Sequence, residues 1–150
     1  MKDIKWDKRY LDLAKSVSTW SKDPSKKIGA IAVSPRGSVL AQGYNGFPRG
    51  MEDTKSRYND RELKYKYVVH AEMNAIYNAT YHGVSLDDAT LYVHGLPVCS
   101  ECAKGIIQVG IKRVVIMADD IPEKWSESFK VTKEMFDEVG IKVEFFYDDI

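Results

Sequence analysis

His70-Ala71-Glu72-Met73-Asn74-Ala75-Ile76 opens one helical pattern, and Cys99-Ser100-Glu101-Cys102 opens the next. Ala75, Ile76 and Ala79, with Met73 beside them, recur at helical spacing, and Gly83 stands where a left-handed cap would close the helix. Both quoted stretches thus fall at helix N-termini, where partial positive charge favours carboxylates and thiolates. One imidazole and two thiolates form a three-ligand zinc set. A catalytic zinc keeps its fourth position for water, whereas a structural one closes with a fourth protein ligand. The chain has 2 cysteines, so no third thiol is available. A thioredoxin-like Cys-x-x-Cys would open the helix after the first strand of a βαβ unit. Here the motif comes late, after a His-x-Glu element, which favours metal over redox chemistry.

Working outward, Tyr10, Leu11, Leu13, Ala14, Val17 and Trp20 predict an amphipathic helix over 7–21, ended by Asp23-Pro24-Ser25. Residues 28–34 and 38–44 read as strands joined by the turn Ser34-Pro35-Arg36-Gly37, a hairpin. Residues 43–50 form a loop with three glycines and a proline, and 51–66 is polar with room for one short helix at 57–64. Beyond the helix at 71, the pattern predicts a strand at 89–93, a helix from Cys99 to 110 and a strand at 112–118. A helix at 129–139, closed by Gly140, and a strand at 141–147 complete it. The order α, β-hairpin, α, β, α, β, α, β predicts an α/β fold, a three-layer α/β/α sandwich on a five-stranded mixed sheet. One domain is expected over residues 1–150.

Acidic and basic residues balance at 22 each, without a basic stripe, which argues against a grip on long nucleic acid. A single phosphate needs only a few donors and stays compatible with that balance. No apolar run approaches a membrane span, and Met1 to Trp6 lacks the apolar core of a signal peptide, so a cytoplasmic protein is expected.

The chemistry follows from the ligand set. Hydroxide generated at such a zinc can attack a ring carbon that bears an amine. The amine leaves once the ring nitrogen and then the amino group are protonated, and Glu72, beside the metal but not bound to it, can carry that proton. This is hydrolytic deamination of an amidine-like carbon, as in cytosine or adenine.

His-x-Glu followed by a proline and Cys-x-x-Cys is the signature of zinc nucleobase deaminases. The chain resembles the zinc-dependent cytidine deaminase superfamily, and within it the dCMP (deoxycytidylate) deaminases. The resemblance rests on Pro24-Ser25-Lys26-Lys27-Ile28-Gly29-Ala30, the loop Gly43-Tyr44-Asn45-Gly46-Phe47-Pro48-Arg49-Gly50, and residues 70–76 and 99–116. It implies a cytidine-deaminase-like fold and conversion of dCMP to dUMP and ammonia, with Glu72 as proton shuttle. It implies one zinc per chain on His70, Cys99 and Cys102. Asn45 would bond the sugar hydroxyl, the backbone N–H of Ala71 would hold the pyrimidine carbonyl, and Ser25, Lys26 or Lys27 would meet the phosphate. Trp125 would close over the substrate. Homo-oligomers, often hexamers, are typical of the family, and many members respond to dCTP and dTTP through the glycine-rich loop.

Two departures stand out: Pro97-Val98-Cys99 in place of proline directly before the first cysteine, and His94-Gly95 in place of apolar or hydroxyl residues. The competing functions are deamination of a modified dCMP, a free base, a nucleoside or tRNA adenosine, and a non-catalytic zinc-stabilised binding protein. Among the remaining polar and aromatic residues, His82 and His94 read first as structural and Glu101 as solvated. Tyr58, Tyr65 and Tyr67 read as packing, and Asn74 as a residue able to orient the site.

Overall fold

The structure, a computed structural model, describes residues 3–119 and 121–147. Helix α1 runs over Ile4–Ser18 and starts three residues earlier than the apolar spacing predicts, because the Asp3 carboxylate caps it by accepting the Lys5 N–H at 3.0 Å. It also ends earlier. The Ser18 and Thr19 hydroxyls fold back onto the carbonyls of Lys15 and Ser16 and close the last turn, so Trp20 leaves the stripe and lies exposed.

Strands β1 (Gly29–Val33) and β2 (Val39–Tyr44) form the expected antiparallel hairpin. The polar stretch that follows holds two short helices where one was predicted, α2 (Lys55–Asn59) and α3 (Arg61–Tyr67). Asp60 both ends the first and caps the second, its carboxylate accepting the Leu63 N–H, and this splits the segment. Then come α4 (Ala71–Tyr81), β3 (Thr90–His94), α5 (Ser100–Gln108), β4 (Arg113–Met117), α6 (Glu123–Val139) and β5 (Lys142–Phe145). Helix α6 begins six residues before its predicted start, with Pro122 as N-cap.

The five-stranded sheet has the order β2-β1-β3-β4-β5 and is mixed: β1 is antiparallel to β2 and β3, whereas β3, β4 and β5 are parallel. Leu11, Ala14 and Val17 of α1 pack with Ile31, Val33, Tyr92 and Val115 on one face. The other face is larger, with Ala71, Ala75 and Ile76 of α4, Cys102, Ala103 and Ile106 of α5 and Phe136 of α6 packed on Leu91, Val93, Val114 and Ile116. Helices on both faces make the three layers that the element order predicts.

Gly43 lets α4 lie directly on β2, since a Cβ at that position would overlap the backbone of Ala71 and Ala75. Asn74 and Asn78, one turn apart on α4, donate to the Tyr44 and Gln42 carbonyls of β2 at 2.7 and 2.6 Å. The start of α4 is thereby fixed to the edge of the sheet.

Candidate active site

Helices α4 and α5 both begin with a metal-ligand type as N-cap, His70 and Cys99. His70 caps no backbone group, so its ring is free to turn away from its own helix. Its Nδ1 lies 3.4 Å from Cys99 Sγ and 3.3 Å from Cys102 Sγ. The three donor atoms lie within 4.8 Å of one another. A tetrahedral zinc ion bound by one nitrogen and two sulfurs sets N···S edges of roughly 3.6 Å. The trio therefore fits one zinc ion per chain, and the soft thiolate pair suits that metal.

Electrostatics point the same way. Cys99 is held down to about 4, first by the hydrogen bond with Cys102 and next by His70, while Cys102 is pushed up by Cys99 and by burial. His70 is raised above 6.5, first by its contact with Cys99. These groups compete for protons that a divalent cation would displace. Burial lifts the Glu72 carboxyl from 4.5 to about 7, and His70 pulls it back.

His70, Ala71 and Glu72 line a cavity of about 320 Å³, within the range of small-molecule sites. Ser25, Lys26, Asn45 and Trp125 line the same cavity, and Trp125 approaches the His70 ring at 6.1 Å between centroids. Lys27 does not line it. Its ammonium donates to the Ser21 carbonyl and faces a separate depression with His94 and Asp119. Asn45 is buried, with Oδ1 accepting the Ile28 N–H and Nδ2 donating to the Lys26 carbonyl, both at 2.9 Å. It thus also ties the glycine-rich loop to the segment that carries Ser25 and Lys26.

No motif in the sequence marks Arg61, Lys64 and Lys124, and Tyr65 reads there as packing; all four line the cavity. Lys64 is buried, 3.2 Å from both Asp23 Oδ1 and Ser25 Oγ. The Lys124 ammonium donates to the Tyr65 hydroxyl at 3.3 Å, which lowers the phenol below its usual range. Arg61, Lys64 and Tyr65 share one face of α3 at i, i+3 and i+4, a signal that became readable only once Asp60 fixed the helix start. Tyr58 and Tyr67 pack instead on Phe47, stacked at 4.2 Å and edge-on at 5.8 Å. His82 caps the end of α4, and Glu101 pairs with Lys104 on the surface.

A three-layer sandwich with a His/Cys/Cys trio at two helix starts and a carboxylate beside it defines a zinc-dependent deaminase fold and site. The family described as the cytidine and deoxycytidylate deaminase zinc-binding region matches residues 4–118. The chain belongs to that family. It is 38% identical to a probable deoxycytidylate deaminase of Drosophila melanogaster, over 93% of this chain and 71% of the relative. It is 34% identical to the deoxycytidylate deaminase of Homo sapiens, over 92% of this chain and 78% of the relative. The solved structure of the dCMP deaminase of cyanophage S-TIM5, in complex with dCMP and dUMP, superimposes with a TM-score of 0.75 at 25% identity. That likeness covers 97% of this chain and 100% of the phage chain. Among the described residues, no helix is long and apolar enough to cross a membrane.

Proposed function

We propose that this chain is a zinc-dependent deaminase that converts dCMP to dUMP and ammonia. One observation carries the reading: a single cavity joins Glu72 and His70, whose ring meets Cys99 and Cys102, to a rim bearing Lys26, Arg61 and Lys124. The substrates named for the fly, human and phage relatives support dCMP as the nucleotide. Zinc held by the trio supplies the usual chemistry of such ions, lowering the pKa of water towards neutrality.

The chain's own groups do the rest. Glu72 would take one proton of the attacking water and give it to the ring nitrogen. It would then take the second proton of the same oxygen as the new carbonyl forms and give it to the departing amine. Burial disfavours the charged form of its carboxyl, which suits a group that must give a proton as well as take one. The Ala71 N–H, in the first turn of α4, has no intrahelical acceptor to serve and holds the pyrimidine carbonyl. Asn45 has spent one N–H and one lone pair on the Lys26–Ile28 backbone, and what remains bonds the sugar hydroxyl. Ser25, Lys26, Arg61 and Lys124 receive the phosphate, and Trp125 covers the base.

Self-association is part of the proposal, with a hexamer as its expected size. Its support is exposed aromatic surface, Trp20 edge-on to Tyr44 at 6.0 Å and Tyr77 and Tyr81 one turn apart on α4, and light scattering tests it. The activity test is an absorbance screen of zinc-loaded protein with dCMP, CMP, 5-methyl-dCMP, deoxycytidine and guanine, each with and without dCTP or dTTP. Turnover of dCMP well above deoxycytidine and guanine supports the reading; turnover of a free nucleoside or base with dCMP left intact overturns it.

A further inference from the structure

The turn that presents Cys99 is held from outside by helix α6. Val98, directly before the ligand, is fully buried, and its carbonyl accepts a hydrogen bond from Thr132 Oγ1 at 2.9 Å. Ser100, directly after the ligand, donates its backbone N–H to Ser128 Oγ at 3.0 Å. Thr132 is itself fully buried, and it lies one turn after Ser128, so the two hydroxyls grip the two peptide groups that flank Cys99. Proline in this chain stands at 97 and not at 98. Position 98 thus lacks the fixed φ that proline would impose just before the helix start. An external grip on the Val98 carbonyl supplies that restraint by other means.

We infer that Ser128 and Thr132 are positioning residues for the metal ligand Cys99, setting the direction of its sulfur towards His70 Nδ1. The geometry is of the kind that tunes metal sites elsewhere: groups that bond the backbone or side chain of a ligand fix its orientation, and their loss typically weakens metal binding 10- to 100-fold. Helix α6 also carries Lys124 and Trp125 at the cavity, so one helix orients a ligand and forms a cavity wall. The inference rests on the reading of His70, Cys99 and Cys102 as zinc ligands.

The test uses the full chain with Thr132→Val, Thr132→Ser and Ser128→Ala. Zinc affinity is measured by competition with a chromogenic chelator, and cobalt replaces zinc for visible spectroscopy. The expected result is a zinc affinity at least about 10-fold weaker in T132V, with changed ligand-field and thiolate-to-cobalt bands. T132S should restore both, and S128A should give a smaller change of the same kind. If T132V binds zinc within twofold of wild type and its cobalt spectrum is unaltered, the two residues are merely structural, even where the melting temperature falls. Wild-type protein that takes up no stoichiometric zinc would overturn the ligand assignment as well, which keeps the two failures apart.

Discussion

The floor and the rim of the cavity are built in opposite ways. At the floor, His70 and Glu72, with Cys99 and Cys102 against the His70 ring, come from two short motifs, each at the start of a helix, and the chain needs only to bring two helix starts together. At the rim, Ser25 and Lys26 come from the segment before β1, Arg61, Lys64 and Tyr65 from α3, and Lys124 and Trp125 from the start of α6. On the proposed reading the floor sets which bond is broken, and the rim, assembled from three distant segments, sets which molecule is held. The proposed chemistry is local in sequence and the proposed selectivity is not.

The largest expected effect tests the floor. Glu72→Ala should lower dCMP turnover about 1000-fold while zinc content, measured by atomic absorption, stays at one per chain. A loss below tenfold would mean that another group moves the proton. Next comes the buried part of the rim. Lys64 and Asp23 are both under 10% exposed in their side chains. Lys64→Met leaves the Asp23 charge buried without its partner and should cost about 3 kcal/mol of stability. Thermal unfolding checks this, and Asp23→Asn added to the same chain should recover part of the loss.

The exposed part of the rim should respond in recognition and not in stability. Arg61→Ala should raise the KM for dCMP about 10-fold and leave deoxycytidine kinetics nearly unchanged. Equal effects on both substrates would break the division between floor and rim. The smallest effect concerns His94, behind the segment that carries Ser25 and Lys26. Burial first, and then Lys15, hold its imidazole below 6.5. A histidine with a depressed folded pKa adds stability that is complete above 6.5 and is lost as pH falls through the lower folded value. Melting temperature should thus fall with pH below that point, and His94→Asn should flatten the slope.

That contrast also explains what could be read from the sequence. Helix, strand and topology were legible because Ala75, Ile76 and Ala79, or Ile31 and Val33, repeat with the period of their element. Boundaries were less so: Asp3 and Asp60 move helix starts by capping, and caps follow from a single side chain and not from a period. The His/Cys/Cys trio was legible because each of its two motifs, His70-Ala71-Glu72 and Cys99-Ser100-Glu101-Cys102, is short. Arg61, Lys64 and Lys124 were not, since each looks like a surface charge until α3 and α6 meet across the cavity. The Val98 carbonyl, held by Thr132, was equally hidden, as the sequence separation of 34 carries no pattern.

His70 lies 29 residues from Cys99 and 32 from Cys102. An ion bound by all three closes that stretch into a loop, as a disulfide does in an oxidising compartment. For a loop of this length the chain-entropy gain is about 3–4 kcal/mol. Unlike a disulfide, the bond is made and broken by mass action. The fold's resistance to unfolding should therefore rise and fall with free zinc, and a chelator should act on this chain as a reductant acts on a secreted one.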